Sequence, residues 1–494
     1  MAVCSLTRSY SKLTRNNPRK QDALVPPKIV HLGLGAFARA HLGEYVRRLN
    51  DSIHDEPWLI SGVSLRTSSI RDSLRPQQGA YTIVERDGPR NKRNDTFIIS
   101  YSVSEVLFAG EEAEIIKRRL VDPNTSIISM TVTEKGYCRG RDGFLDLGNF
   151  DVQSDINTLV EHPTETMKTL PGWVAQAILF RAKSKLPVTI MSLDNLPRNG
   201  QSLKKIIITI LQLVNQSTLE WIDAGNVSFP NSVVDRIVPA TSEEDLHDVS
   251  THLKIRDVWP VSTEPYISWI LEQKFSSPQP NWTRAGVLLV SDIVPYEEAK
   301  LRLLNGSHSL IAYLGQLTDK ETVADTLEDE LFGKVVKRFM TEMQATLETP
   351  KTFDLIAYQS QIFDRFCNAA LRHKTAQIAS DGSEKIPQRW LEAIMVLRRQ
   401  KRPVRFLAMA VALWIRYLQG LSETGTKLII SDPRKHQLLP MVTSSSKAKE
   451  VITSVISLLN PDLAKDEALI SDVAYYHHDI VRDGCRPAIT RLIS

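Results

Sequence analysis

The stretch that most constrains the fold is residues 28–50. Lys28-Ile29-Val30-His31-Leu32 has the length and apolar content of a short buried strand. It runs directly into Gly33-Leu34-Gly35-Ala36-Phe37-Ala38, and a helical pattern follows to about residue 50. A bare Gly-x-Gly-x-x-Ala string is weak. Strand, glycine turn and helix in succession form the setting that a dinucleotide-binding turn requires. The first glycine permits the tight turn, the second lets the backbone approach a pyrophosphate, and the third small residue lets helix and strand pack closely. The helix N-terminus then faces the phosphates. Gly33, Gly35, Ala36, Phe37 and Ala38 are therefore the expected cofactor cradle.

Strand and helix signals continue to alternate. A second strand over 58–65 ends at Arg66-Thr67-Ser68-Ser69, with no acid placed to grip a ribose 2′-hydroxyl. Arg66 either meets a 2′-phosphate, which would favour NADP over NAD, or is a loop arginine facing adenine or water. Residues 125–133 and 186–193 read as further strands, and 173–183 and 202–215 as helices. This rhythm predicts a mostly parallel sheet covered on both faces, whose ligands bind beyond the carboxyl ends of the strands. Glu134 and Asn195 lie just past two such ends. After about residue 295 helical periodicity dominates, at 300–317, 327–347, 355–366, 394–399, 406–418 and 448–459. The expected architecture is α/β: a Rossmann-type, mostly parallel sheet domain over 28–294, then a mainly α-helical domain over 295–494, with an N-terminal arm over 1–27. Ser444-Ser445-Ser446 reads as a surface loop.

Composition narrows the function. The chain has 494 residues, 42% hydrophobic and 24% charged, with a net charge of +4, which makes no case for a nucleic-acid partner. No apolar run reaches the roughly 18 to 20 residues that span a bilayer. Four widely spaced cysteines, without Cys-x-x-Cys or His-Glu-x-x-His, predict reduced thiols, a cytoplasmic setting and no metal site. The first 20 residues are basic and serine-containing, which fits a surface arm or a mitochondrial address.

Residues 294–309 carry the densest chemistry. Pro295 suits a helix start and Glu297 and Glu298 suit its first turn. At about 100° per residue, Lys300, Asn305 and His308 fall within an arc of roughly 140°. Leu304 and Ile311 share that arc, so the polar trio is expected to point inward. A buried lysine can lose its proton near neutrality, and amide donors can steady an alkoxide. A core helix with three satisfied polar residues gives the same pattern. Tyr296-x-x-x-Lys300 also matches the pair used by short-chain dehydrogenases, but it lies about twice as far from the glycine turn as it does there. Glu134 can relay a proton to water or form an ion pair. Asp235 and Arg236 read as a structural pair at a turn, or Asp235 as a substrate ligand.

The chain resembles the mannitol dehydrogenase family of polyol-specific long-chain dehydrogenases. The resemblance rests on 31–41 around the glycine turn, Thr131-Val-Thr-Glu-Lys-Gly-Tyr137, Asp194-Asn-Leu-Pro-Arg-Asn-Gly200, Phe229-Pro-Asn-Ser-Val-Val-Asp-Arg236, Glu264-Pro265, Lys300-Leu-Arg-Leu-Leu-Asn-Gly-Ser-His308 and Asp381-Gly-Ser-Glu-Lys385. These run in family order over about 28–390. The resemblance implies a metal-independent oxidoreductase using NAD or NADP on a small sugar acid or polyol, acting as a monomer or small homo-oligomer. It implies Lys300 as general acid/base, Asn195 and Asn305 around the reacting oxygen, Glu134 as proton outlet, and His308, Asp235 and Lys385 as substrate contacts. Ala38 departs from the histidine usual there. The strings 131–138, 305–308 and 371–378 look most like the fructuronate reductase branch, with Gln377 where mannitol enzymes tend to carry arginine. The hexuronate carboxylate would need a cation from Arg372, His373 or Lys385. Mannitol- and arabinitol-type substrates are the alternatives, and a non-catalytic nucleotide-binding protein is a remote one.

Overall fold

The computed structural model describes residues 11–13, 25–53, 55–89, 91–140, 143–350, 353–443 and 447–494. The Ser444-Ser445-Ser446 loop and most of the N-terminal arm lie outside the described residues. Two compact units are formed: residues 1–86 with 94–293, and residues 87–93 with 294–494.

The first unit is built on six parallel strands: β1 (Ile29–Leu32), β2 (Ile60–Ser64), β3 (Val103–Phe108), β4 (Ile127–Met130), β5 (Val188–Ser192) and β6 (Val227–Ser228). Their spatial order is β3-β2-β1-β4-β5-β6, the doubly wound Rossmann order, in which the chain reverses direction beside β1. Every residue of β1, β2, β4 and β5 is buried, so side chains pack on both faces of the sheet. Val30 and Leu32 pack into one core and Ile29 into the other. Each such side chain contributes roughly 1.5–3 kcal/mol through burial. Helices Leu170–Ser184 and Asn199–Val214 help cover one face, and Leu42–Ser52 helps cover the other. β3 and the strands Tyr81–Asp87 and Asn94–Ser100 add to the elements expected from sequence. The described part of the arm, Ser11–Lys12, pairs in parallel with Ile255–Arg256.

The second unit is helical apart from isolated bridges among the described residues. Its core gathers Leu303, Leu304, Ile311, Phe339, Trp390 and Trp414. The helix expected to start at Pro295 and continue to 317 is three segments. An α-helix over Val294–Ala299 passes into a π-helical turn over Lys300–Asn305, and an α-helix over Gly306–Leu317 follows. A second π turn, Pro387–Leu391, lies between helices Gly382–Ile386 and Glu392–Arg399. The C-terminal helices Glu467–Asp483 and Cys485–Ile493 close the unit's core.

Candidate active site

Three loops leave the carboxyl ends of the adjacent strands β1, β4 and β5. The first is the glycine turn. Gly33 has φ +98°, and a Cβ there would lie 2.1 Å from the Thr131 carbonyl oxygen, so only glycine fits. The Gly33 and Leu34 N–H groups both donate to the Val63 carbonyl, at 2.8 and 3.2 Å, and the Gly35 N–H donates to Gly33 O at 2.7 Å. A Cβ on Gly35 would meet nothing closer than 3.9 Å. Space is open on that side, and no side chain caps the helix Ala36–Ala40 that Gly35 begins. Open space beside uncapped N–H groups fits a pyrophosphate. Ala38 is buried at the helix–sheet contact, and Phe37 stacks on His41 at 5.0 Å. Arg66 stands exposed two residues beyond β2.

His31, unassigned from sequence, anchors this turn. Its Nδ1 meets Ser129 Oγ and its Nε2 meets Thr131 Oγ1, each at 2.9 Å. Thr131 Oγ1 donates onward to Gly33 O at 2.8 Å. Burial pushes the ring down to about 4, so it is neutral at pH 7. A histidine inside a fully buried strand was the available signal.

The second loop carries Glu134, exposed at the start of a 3₁₀ turn, Glu134–Tyr137. The third carries Asp194 and Asn195. Asp194 ties the two together. Its carboxylate oxygens accept the Val132 N–H at 2.9 and 3.0 Å and also accept the Tyr137 hydroxyl, which lies 2.6 Å from Ser192 Oγ. Burial raises Asp194 to about 7, against the pull of its hydrogen bonds, with the Glu134 charge adding to the rise. Asn199 then fixes the third loop, donating to Asp194 O and Ser232 O at 3.0 Å each. Gly200 allows that approach, since a Cβ there would fall 2.4 Å from Pro230 O. Asp235 is buried at the end of the strand Ser232–Asp235, which is antiparallel to Ser268–Glu272. Arg236 follows it and is buried. It pairs with Glu85 at 2.5 Å and donates to Glu264 O and Ala40 O, a structural clamp.

In the second unit Lys300 is 9% exposed and opens the π turn. The i→i+5 pattern winds through fewer degrees per residue than an α-helix. Asn305 and His308 therefore lie closer in azimuth to Lys300 than α-helical spacing predicts. His308 packs against Phe366 and edge-on against His373, with ring centroids at 4.7 and 4.9 Å. Burial holds His308 well below its ordinary value, reinforced by His373, Arg389, Arg365 and Lys385, and burial alone brings His373 to about 4. Burial thus keeps both rings neutral at pH 7. His308 Nε2 and His373 Nδ1 are buried without a hydrogen-bond partner among the described residues, as groups reserved for a ligand hydroxyl would be. Lys385 Nζ donates to Ser380 O at 2.7 Å and lies 3.9 Å from Asp381. Arg372 is exposed at the left-handed end of the turn Ala369–Leu371. Among the described residues no three His, Cys, Asp or Glu side chains are grouped to hold a metal, and no helix is long and apolar enough to cross a membrane.

A strand order of this kind with a glycine turn at the reversal defines a Rossmann-type α/β protein, here joined to a helical unit. Residues 27–284 match the mannitol dehydrogenase Rossmann domain and residues 292–481 the mannitol dehydrogenase C-terminal domain. D-mannonate oxidoreductase of Escherichia coli (strain K12) is 35% identical over 491 residues, covering 98% of this chain and 99% of that protein. Mannitol 2-dehydrogenase of Pyricularia oryzae is 32% identical over 474 residues, covering 94% and 93%. The solved structure of Pseudomonas fluorescens mannitol 2-dehydrogenase, a ternary complex with NAD and D-mannitol, aligns with a TM-score of 0.84 at 30% identity, covering 98% and 97%. The chain belongs to the mannitol dehydrogenase family, and is an oxidoreductase acting on CH–OH groups.

Proposed function

We propose that this protein is an NAD(P)-dependent, metal-independent oxidoreductase that interconverts a hexuronate or ketose with its aldonate or polyol. D-fructuronate and D-mannonate are the pair best supported. The observation that carries the reading is Lys300, a buried lysine opening a π turn, with Asn305 and His308 following on the same helix.

In the oxidative direction the Lys300 amine accepts the proton from the substrate hydroxyl oxygen as hydride leaves the carbon that bears it and the carbonyl forms. A nicotinamide cofactor, when bound, accepts that hydride. Gly33, Gly35, Ala36, Phe37 and Ala38 would cradle its pyrophosphate, and Arg66 would meet a 2′-phosphate if the cofactor is NADP. The side-chain amides of Asn195 and Asn305 hold the developing alkoxide. Neutral His308 and His373 hold substrate hydroxyls, and Asp235 holds another. Glu134, solvent-exposed, passes the proton from Lys300 to water. Reduction runs these proton movements in reverse.

The hexuronate preference draws on the similarity to D-mannonate oxidoreductase along nearly the whole chain. Arg372, His373 and Lys385 are the candidates to hold its carboxylate. The relatives named mannitol 2-dehydrogenase are almost as similar, which keeps D-fructose and D-mannitol as the second pair. The test is turnover of D-fructuronate, D-tagaturonate, D-fructose and arabinitol-type substrates, each with NADH and NADPH. Lys300→Ala should lose most turnover while cofactor titration is unchanged. Undiminished turnover in that variant overturns the reading.

A further inference from the structure

A π turn interrupts the regular i→i+4 pattern, so the carbonyls around it need partners that an α-helix would not require. At the exit of the Lys300–Asn305 turn, two successive carbonyls accept side-chain donors. Arg389 Nη1 donates to Asn305 O at 3.2 Å, and Trp390 Nε1 donates to Gly306 O at 3.1 Å. Arg389 Nη1 also donates to Ser309 Oγ at 2.8 Å, so one guanidinium bridges the exit of the π turn and the first turn of the next helix.

Both donors come from the second π turn, Pro387–Leu391. π segments make up well under 1% of residues in globular proteins. Here neighbouring residues of one donate side-chain hydrogen bonds to the last carbonyl of the other and to the first carbonyl of the helix that follows it. The packing between them leaves little slack. A Cβ on Gly306 would lie 3.1 Å from Met343 Cε and 3.6 Å from Trp390 Nε1. The Trp390 ring is itself wedged edge-on against Tyr313 and Phe339.

We propose that Arg389 and Trp390 are positioning residues that hold the Lys300–Asn305 turn in its π form, setting the azimuth of Lys300 relative to Asn305 and His308. The inference rests on the catalytic role proposed for Lys300. Without the two donors the turn rewinds toward α geometry, which carries Asn305 and His308 away from Lys300 around the helix. A misplacement of about 1 Å at a reacting group can cost roughly 100-fold in rate.

The test compares Arg389→Gln, Arg389→Lys, Trp390→Phe and Lys300→Ala with the parent protein. Steady-state kinetics are measured on the best substrate of the panel, and hydrogen exchange is followed for peptides covering 300–309. Arg389→Gln should lower kcat by roughly 100-fold, leave cofactor affinity within twofold, and speed exchange in 300–309 alone. Arg389→Lys keeps a donor and should restore most of both. Trp390→Phe keeps the packed ring, drops the N–H and should lower kcat about tenfold. Parental kcat and parental exchange at 300–309 in both Arg389→Gln and Trp390→Phe overturn the proposal, while loss of turnover in Lys300→Ala leaves the catalytic reading standing. Full activity in Lys300→Ala overturns the catalytic reading and the azimuthal role with it. The exchange result then decides separately whether the two donors hold the turn. A global rise in exchange with a loss of kcat and cofactor affinity together identifies plain destabilisation and also counts against a positioning role.

Discussion

Gly33→Ala puts the nucleotide-turn reading under direct strain. The native φ of +98° is one that a residue with a Cβ rarely adopts, and the added carbon would sit 2.1 Å from Thr131 O where ordinary contact begins near 3.4 Å. Left-handed backbone costs such a residue about 1–2 kcal/mol. Relieving the clash drives β1 and β4 apart at their carboxyl ends, and the Thr131 hydroxyl loses its 2.8 Å bond to Gly33 O, worth about 1 kcal/mol. A total near 2–3 kcal/mol lowers the melting temperature by several degrees, at about 2–4 °C per kcal/mol for a unit of this size. The displaced loop weakens dinucleotide binding by about 30- to 150-fold if that energy appears in the bound state. Gly35→Ala is the paired control. Its Cβ meets open space in the protein, so stability is retained, while the methyl group stands where the pyrophosphate approaches. Fluorescence titration with NADH and NADPH, alongside thermal melts, reads both variants. Parental affinity and melting temperature in Gly33→Ala would refute the reasoning.

Two further predictions concern the strand-end loops. Asp194 titrates near 3.8 when unfolded and about 7 when folded, so its neutral form stabilises the fold below pH 4 and that contribution is lost as pH rises through 7. The parent should therefore lose up to about 4 kcal/mol relative to Asp194→Asn between pH 4 and 8, seen as diverging denaturant midpoints, and parallel midpoints would contradict the buried-carboxyl account. Arg66→Ser should weaken NADPH by about tenfold relative to NADH, measured by titration. Equal changes for the two cofactors would remove Arg66 from the 2′-phosphate.

Local features were the legible ones. The strand, glycine turn and helix at 28–50 sit within a few residues of one another, and their steric needs are written in Gly33 and Gly35 themselves. β4 and β5 were readable as β-rich runs, though each proved shorter by several residues. β3 was not readable. Val103-Ser104-Glu105-Val106 carries a carboxylate in mid-strand, and only the fold reveals that Arg119 and Ser61 satisfy it. The loops bearing Glu134 and Asn195 were placed from their positions after strands, yet Asp194, which ties them together, gave no local signal because Val132 and Tyr137 are distant in sequence. The helix of Lys300 was legible as amphipathic, but a 3.6-residue period cannot disclose a π turn stabilised by Arg389 and Trp390 more than eighty residues away. For the same reason the neutrality of His373 follows from burial, which its charged neighbours Arg372 and Lys374 disguise in the sequence.

The central claim is that Lys300 moves the proton. The most direct measurement is the single-turnover rate of Lys300→Ala on D-mannonate and on D-mannitol with saturating cofactor, repeated with added primary amines. The account predicts a collapse of hydride transfer with unchanged cofactor binding, and partial recovery as free amine is raised. Hydride transfer at the parental rate in Lys300→Ala, without any amine, would contradict it.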